Sequence, residues 1–223
     1  AATYFDDQVS PAEGTSSEEF YQIYHKFGYD QAVSRASDSL SYVYRLDEKY
    51  WLMMLDSCMC EPVHETGGKL SEETTAWMKM QLEEAKKQGV TVIPVSHHNL
   101  LDESTLYPEE CTIENTKEVT ALLEAYGVPV YLSGHLHLQR IKKHTSNLNT
   151  PGGYGIREIV TSPLPMAPCQ YSILNWQADG SLSYHTKKVD IAGWAQRYGE
   201  EDENLLNFDA YADQFLVDVI SEQ

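Results

Sequence analysis

The residues of this chain that could do chemistry are histidines in two short groups, His97-His98 and the pair within Gly134-His135-Leu136-His137. Each group directly follows an apolar run, residues 90–95 for the first and 128–132 for the second. A stretch with helical periodicity separates the runs, so the order is strand, helix, strand. Such crossovers are almost always right-handed and place their strands parallel in one sheet. Because ligands bind at the carboxyl ends of these strands, we expect the imidazoles to meet at one edge.

The residue types favour a catalytic metal site over a structural one. Side chains two positions apart on an extended segment point the same way, so we expect His135 and His137 to address one volume. Structural zinc sites usually include cysteine, and none is near in sequence, whereas imidazoles alone can leave positions open for water and substrate. Asp56 follows the strand predicted at 50–55, and two roles stay open for it. It can orient a ligand histidine, or it can cap its own loop.

Caps and apolar stripes predict three helices that position these groups. One extends from Ser71 to Gly89 and a second from Asn115, with Glu118, to Gly127. Another opens at Ser16 with a capping box to Glu19 and ends at Gly28. Its apolar stripe consists of Phe20, Ile23, Tyr24 and Phe27.

The remaining strands indicate an α/β fold with two packed mixed sheets and helices outside them. Residues 40–46 and 50–55 read as a hairpin before the parallel part. The second half reads as an antiparallel meander, with alternating runs at 138–143, 154–161, 169–176 and 181–189. An amphipathic helix is predicted at 204–220. We therefore expect one domain over residues 1–190 and a helical extension over 191–223.

Composition limits the classes of function. The chain has 223 residues with 16 Lys plus Arg against 34 Asp plus Glu, a net charge of −18. Such a surface repels phosphate backbones, so nucleic acid is not an expected partner. No apolar run approaches the roughly 20 residues that cross a bilayer, and the first residues do not have the pattern of a signal peptide. The cysteines have no zinc-site or disulfide spacing, and the compartment stays open.

On these residues the chain resembles the calcineurin-like metallophosphoesterases, in particular bacterial ones. The last two of that family's five metal motifs correspond to Ser96-His97-His98-Asn99 and Gly134-His135-Leu136-His137. The segments Leu55-Asp56-Ser57 and Thr161-Ser162-Pro163 are also similar to the family. The resemblance implies an α/β/β/α sandwich and phosphoester hydrolysis with two divalent ions such as Mn, Fe or Zn. It implies that His97 and His135 bind one metal and His137 the other, with His98 as the alternative to His97. His98, Asn99 and Asp56 would orient ligands or substrate.

The chain departs from the family in the first three motifs. D-x-H, G-D-x-x-D and G-N-H-[DE] do not occur in it. In the family, those motifs supply the bridging aspartate, the asparagine ligand and a histidine beside the leaving group. We therefore expect a fragment that is incomplete at its N-terminus and carries half of a dinuclear site. Alone it should bind metal weakly, hydrolyse little and have no identifiable catalytic residue.

Two other functions stay open. One is a non-catalytic binding module on the same fold, and the other is a mononuclear zinc hydrolase that uses His97, His135, His137 and a water molecule. The expected substrate is a small phosphorylated molecule. A sheet without its first strands would expose an edge, so we expect association with another copy or with the missing segment.

Overall fold

The computed structural model describes residues 2–5, 8–11, 14–60, 65–103, 110–144, 155–177 and 179–221. The strands are β1 (Ala2–Phe5), β2 (Gln8–Pro11), β3 (Ala32–Arg35), β4 (Tyr42–Arg45), β5 (Tyr50–Met54), β6 (Thr91–Val95), β7 (Val130–Ser133), β8 (Arg140–Lys143), β9 (Arg157–Val160), β10 (Gln170–Trp176) and β11 (Leu182–Lys188). The α-helices are α1 (Ser17–Tyr24), α2 (Glu72–Gln88), α3 (Thr116–Ala125), α4 (Ile191–Tyr198), α5 (Glu203–Leu206) and α6 (Phe208–Ser221).

A seven-stranded mixed sheet carries both histidine groups, with strand order β3-β4-β5-β6-β7-β9-β8. β3, β4 and β5 pair antiparallel, whereas β5 pairs parallel with β6, and β6 parallel with β7. The predicted hairpin and the predicted parallel strands are therefore confirmed. Because β6 and β7 are parallel neighbours, the loops that follow them leave from the same edge of the sheet.

The core forms where α2 and α3 bury their apolar residues with the sheet strands. Ser71 caps α2 by accepting a hydrogen bond from the N–H of Thr74 at 2.9 Å, and Gly89 ends the helix at φ 69°. Only glycine adopts that left-handed backbone readily. The helix residues that complete the core are buried as expected: Trp77, Met78, Leu82 and Ala85 from α2, with Val119 and Leu123 from α3.

Two helices differ from what their sequence patterns alone indicate, and the predicted cap of α3 was wrong. α1 has the predicted capping box between Ser16 and Glu19, but it buries no residue. Its apolar side chains instead contact one another at the surface: Phe20 stacks on Tyr24 at 4.5 Å between ring centroids. At α3, Asn115 occupies the cap position without capping the helix. Its side-chain amide bonds both backbone groups of Leu70, which ties α3 to the start of α2.

The described chain divides into two compact units. The first comprises residues 1–135 and 141–159, and the second comprises residues 136–140 and 160–223. The second unit contains the antiparallel pair β10–β11 and the helices α4, α5 and α6. No helix in the described part of the chain has the length and apolarity needed to cross a membrane. The seven-stranded mixed sheet, the two-stranded sheets β1–β2 and β10–β11 and the helices confirm the predicted α/β class.

Candidate functional site

His97 and His135 meet at the carboxyl edge of the mixed sheet. His97 follows the end of β6, and His135 follows the end of β7. Nδ1 of His135 lies 2.9 Å from Nε2 of His97, and the ring centroids are 4.8 Å apart. The N–H of Gly134 also donates to the carbonyl of His97 at 3.0 Å, which joins the two loops through their backbones. The predicted convergence of these two imidazoles is therefore present within the first unit.

The spacing of the two nitrogens suits neighbouring positions around one divalent ion. The 2.9 Å separation is that of a hydrogen bond between the two rings, and ligand nitrogens about 2.0–2.1 Å from an octahedral ion stand equally far apart, whereas a tetrahedral zinc ion would widen the separation to about 3.3 Å. The described residues nevertheless contain no group of three or more His, Cys, Asp and Glu side chains that could hold a metal ion. The described donors thus fit part of the coordination of one ion and do not fit a two-ion centre.

His98 is a buried neighbour of the pair, and both of its ring nitrogens are engaged. Nδ1 lies 2.8 Å from Oγ of Ser57, and Nε2 lies 3.0 Å from the carbonyl of Thr66. Since a carbonyl only accepts, Nε2 carries the proton and Nδ1 accepts from the hydroxyl of Ser57. His98 therefore joins the loops after β5 and β6 in this arrangement, with its ring 4.7 Å from that of His135.

Asn99 anchors the loop after β6 to the end of β7. Its Nδ2 donates to Oγ of Ser133 at 2.9 Å and to the carbonyl of Gly134 at 3.0 Å. Its Oδ1 is buried and has no hydrogen-bond partner among the described residues. A buried amide oxygen without a hydrogen bond is costly, and it is a donor type that divalent ions accept. The resemblance assigned this residue a role at the site, and its contacts lie at Ser133 and Gly134, immediately before His135.

Asp56 caps its own loop. Its Oδ1 accepts from the N–H of Cys58, and its Oδ2 accepts from the N–H of Leu40, both at 3.2 Å. Its own N–H donates to Oγ of Ser41 at 2.9 Å. Of the two roles left open by the sequence, these contacts favour capping.

His137 lies in the second unit and is exposed. The expectation that His135 and His137 share an extended segment was wrong, because β7 ends at Ser133 and the two histidines have φ 65° and φ 54°. Left-handed backbone breaks the alternation on which the expectation depended. Non-glycine residues adopt it at an energetic cost that is often found at functional sites. The assignment of His137 as a metal ligand stays a prediction.

Glu158 of β9 was missed by the sequence reasoning. It is completely buried, and its carboxylate accepts hydrogen bonds from the loop after β6 and from the end of β7. Burial raises the pKa of this carboxyl to about 7, although the bonds from Ser133, Leu100 and Leu101 act to lower it. The sequence feature that could have identified it is a single acidic residue directly before the apolar residues Ile159 and Val160 of this strand.

A cavity of about 670 Å³ lies beside the loop that accepts the His98 hydrogen bond. Thr66 and Gly68 belong to its wall, and four acidic residues line it: Glu65, Asp102, Glu110 and Glu114. Acidic walls repel a phosphate group unless cations are present. The cavity is therefore poorly suited to hold a phosphate without bound cations.

Comparisons with known proteins give a family match at the C-terminal end of the chain and a similarity among solved structures. Residues 190–223 match the family described as the C-terminal domain of cyclic nucleotide phosphodiesterase. Among solved structures, the chain is similar to a dimetal phosphatase from Danio rerio at 14% identity and a TM-score of 0.49. That similarity covers 66% of this chain and 56% of the phosphatase chain. No curated protein matches the chain in sequence.

Proposed function

We propose that this chain belongs to a metal-dependent phosphoester hydrolase and contributes one side of its metal site. The observation that carries the proposal is the 2.9 Å approach of Nδ1 of His135 to Nε2 of His97 at the carboxyl edge of parallel strands. Both side chains come from the motifs that resemble metallophosphoesterases. The family match over residues 190–223 supports the same broad class.

The proposed reaction is hydrolysis of a small phosphomonoester or phosphodiester. A bound divalent ion would polarise phosphoryl oxygens and lower the pKa of a water molecule. In this proposal His97 and His135 would bind one ion as neutral imidazoles, and Asn99 fixes the loop that carries His97. The bridging carboxylate of the family is absent from the sequence motifs, so the chain alone should turn over slowly.

Metal-dependent binding of inorganic phosphate tests this function without requiring turnover. We expect calorimetry on the zinc-loaded chain to detect phosphate binding that is lost without zinc and in His97→Ala and His135→Ala. His25→Ala is the matched control, because this residue directly after α1 has a ring nitrogen 2.8 Å from the carbonyl of Gln22, apart from the pair. Phosphate binding that ignores zinc, or that survives both site substitutions, would reject the proposed function.

Turnover of bis(p-nitrophenyl) phosphate with added manganese tests the incomplete site. We expect a rate that is at least 100-fold below the roughly 10 s⁻¹ typical of enzymes. His135→Ala should reduce this residual rate to that of buffer. A rate typical of complete enzymes would show that no further carboxylate is needed.

A mononuclear zinc hydrolase is the second candidate, and the donor geometry favours it in one respect. The two nitrogens can be neighbouring ligands of a single ion. The described residues contain no carboxylate that would help to bind a second ion. The number of metal ions per chain separates the candidates. One tightly held zinc favours the mononuclear enzyme, whereas weak binding that can be dialysed away favours the incomplete dinuclear site.

A further inference from the structure

Glu158 is a buried carboxylate that the chemistry described above does not use. Its position in β9 places it next to β7 in the strand order of the mixed sheet. Carboxylates are rarely buried unless hydrogen bonds or charges compensate for lost hydration. The identity of its partners therefore shows what the residue does in this fold.

Three donors from two segments converge on this carboxylate. The N–H of Leu100 donates to Oε1 at 2.7 Å, and the N–H of Leu101 donates to Oε2 at 2.6 Å. The hydroxyl of Ser133 donates to Oε1 at 2.6 Å. The leucines belong to the loop that carries His97, and Ser133 ends the strand that precedes His135. One side chain thus fastens both histidine-bearing segments to β9.

Ser133 extends the connection to Asn99. Its oxygen accepts from Nδ2 of Asn99 at 2.9 Å while its proton goes to Glu158. The same Nδ2 reaches the carbonyl of Gly134, immediately before His135. The chain of bonds runs from β9 through β7 to the loop after β6. It ends at Gly134, which precedes His135, and at Asn99, two residues after His97.

We propose that Glu158 is a positioning residue that sets the separation of His97 and His135 through Ser133 and Asn99. The inference rests on the proposed function, in which this separation defines the metal site. All three partners donate, and the ionised carboxylate, which predominates at about pH 8 because the pKa is about 7, accepts from each of them. An amide at this position would turn its NH₂ group toward a donor and leave that donor without an acceptor.

The contrast between Glu158→Gln and Val43→Ala in the full chain separates positioning from general stability. Val43 is completely buried in β4, which β5, β6 and β7 separate from β9. Substitution of residues that orient metal ligands typically weakens binding about 10–100-fold. We expect this loss of zinc affinity in Glu158→Gln, at a temperature where the variant is folded. Val43→Ala should stay within about twofold of the unmodified chain.

A metal-free readout keeps this inference separable from the proposed function. In the apo chain, NMR should detect a ring-to-ring Overhauser effect between His97 and His135 that Glu158→Gln loses and Val43→Ala keeps. If His97→Ala and His135→Ala leave zinc affinity unchanged, the proposed function fails, and the Overhauser effect alone decides the role of Glu158. Retention of this effect in Glu158→Gln, or wild-type zinc affinity in that variant, would overturn the inference.

Ser133→Ala is the second variant if Glu158→Gln does not fold. It removes one of the three donors and the connection to Asn99, and it leaves the backbone bonds of Leu100 and Leu101 in place. We expect an intermediate loss of zinc affinity, about 3–10-fold, and a weaker Overhauser effect. Unchanged affinity together with an unchanged Overhauser effect in a folded Ser133→Ala protein would equally overturn the inference.

Discussion

At the scale of single residues, hydrogen bonds fix the two residues that follow His97 in the chain. His98 is fixed by Ser57 and Thr66, and Asn99 is fixed by Ser133. These contacts are closely spaced and buried, so small changes near them should be felt strongly. The loop after β5 contributes Ser57 and Thr66 to these hydrogen bonds.

The close approach of Gly68 to His98 yields a first prediction. A Cβ at this glycine would lie 2.3 Å from Cγ of His98, too close for any neighbour that cannot move. We expect Gly68→Ala to destabilise the fold by about 1–3 kcal/mol, as overpacking does. The neighbouring Gly67→Ala is a matched control, because its Cβ would meet only the flexible end of Met59 at 3.3 Å. Urea unfolding measures both, and equal stabilities of the two variants would contradict the packing.

The buried carboxyl of Glu158 should make stability depend on pH. Burial raises its pKa to about 7 from an ordinary value of 4.5, so the proton binds more tightly in the folded state. The resulting stabilisation is complete below the unfolded pKa and is lost as pH rises through the folded pKa. Relative to Glu158→Gln, the unmodified chain should lose about 3 kcal/mol of unfolding free energy between pH of about 4 and 8. Urea titrations at both pH values check this, and a constant difference would contradict it.

At the scale of elements, helix caps decide which helices are coupled to the core. Ser71 begins a helix that buries six side chains, whereas Ser16 begins one that buries none. Ser71 also contacts Asp38, which in turn accepts from Thr74. The two serines therefore have similar local roles and different links to the rest of the first unit.

The difference between these two caps yields a prediction at the element scale. We expect Ser71→Ala to lower the unfolding free energy by about 1–2 kcal/mol, because α2 loses its cap and its link to Asp38. Ser16→Ala should lower it by less than about 0.5 kcal/mol, because α1 can fray without exposing core residues. Thermal unfolding followed by circular dichroism compares the two variants. A larger effect at Ser16 would contradict the burial described for these helices.

Sequence patterns predicted the elements well where local signals and burial agree. The parallel strands, the capped α2 and the meeting of His97 with His135 all follow from periodicity and chain order. The patterns failed where tertiary contacts decide. The stripe of α1 is apolar but exposed, Asn115 bonds Leu70 instead of its helix, and left-handed backbone at His135 ends the alternation. Glu158 was missed because its donors are distant in sequence.

At the scale of the whole molecule, the negative charge of the chain makes phosphate binding depend on a bound cation. The net charge of −18 and the acidic cavity disfavour a bare phosphate ligand. A divalent ion on the histidine pair would offset that repulsion locally. The proposed function thus makes phosphate binding conditional on metal binding, and metal binding conditional on the two histidines.

Zinc titration calorimetry of the full chain and its His97→Ala, His135→Ala and His25→Ala variants tests this account most directly. Loss of one of two nitrogen ligands should weaken zinc binding at least tenfold in each site variant, while His25→Ala keeps the affinity of the unmodified chain. Equal zinc affinities in all four proteins would show that the meeting of His97 and His135 is not a metal site, and the phosphoester hydrolase proposal would fail with it.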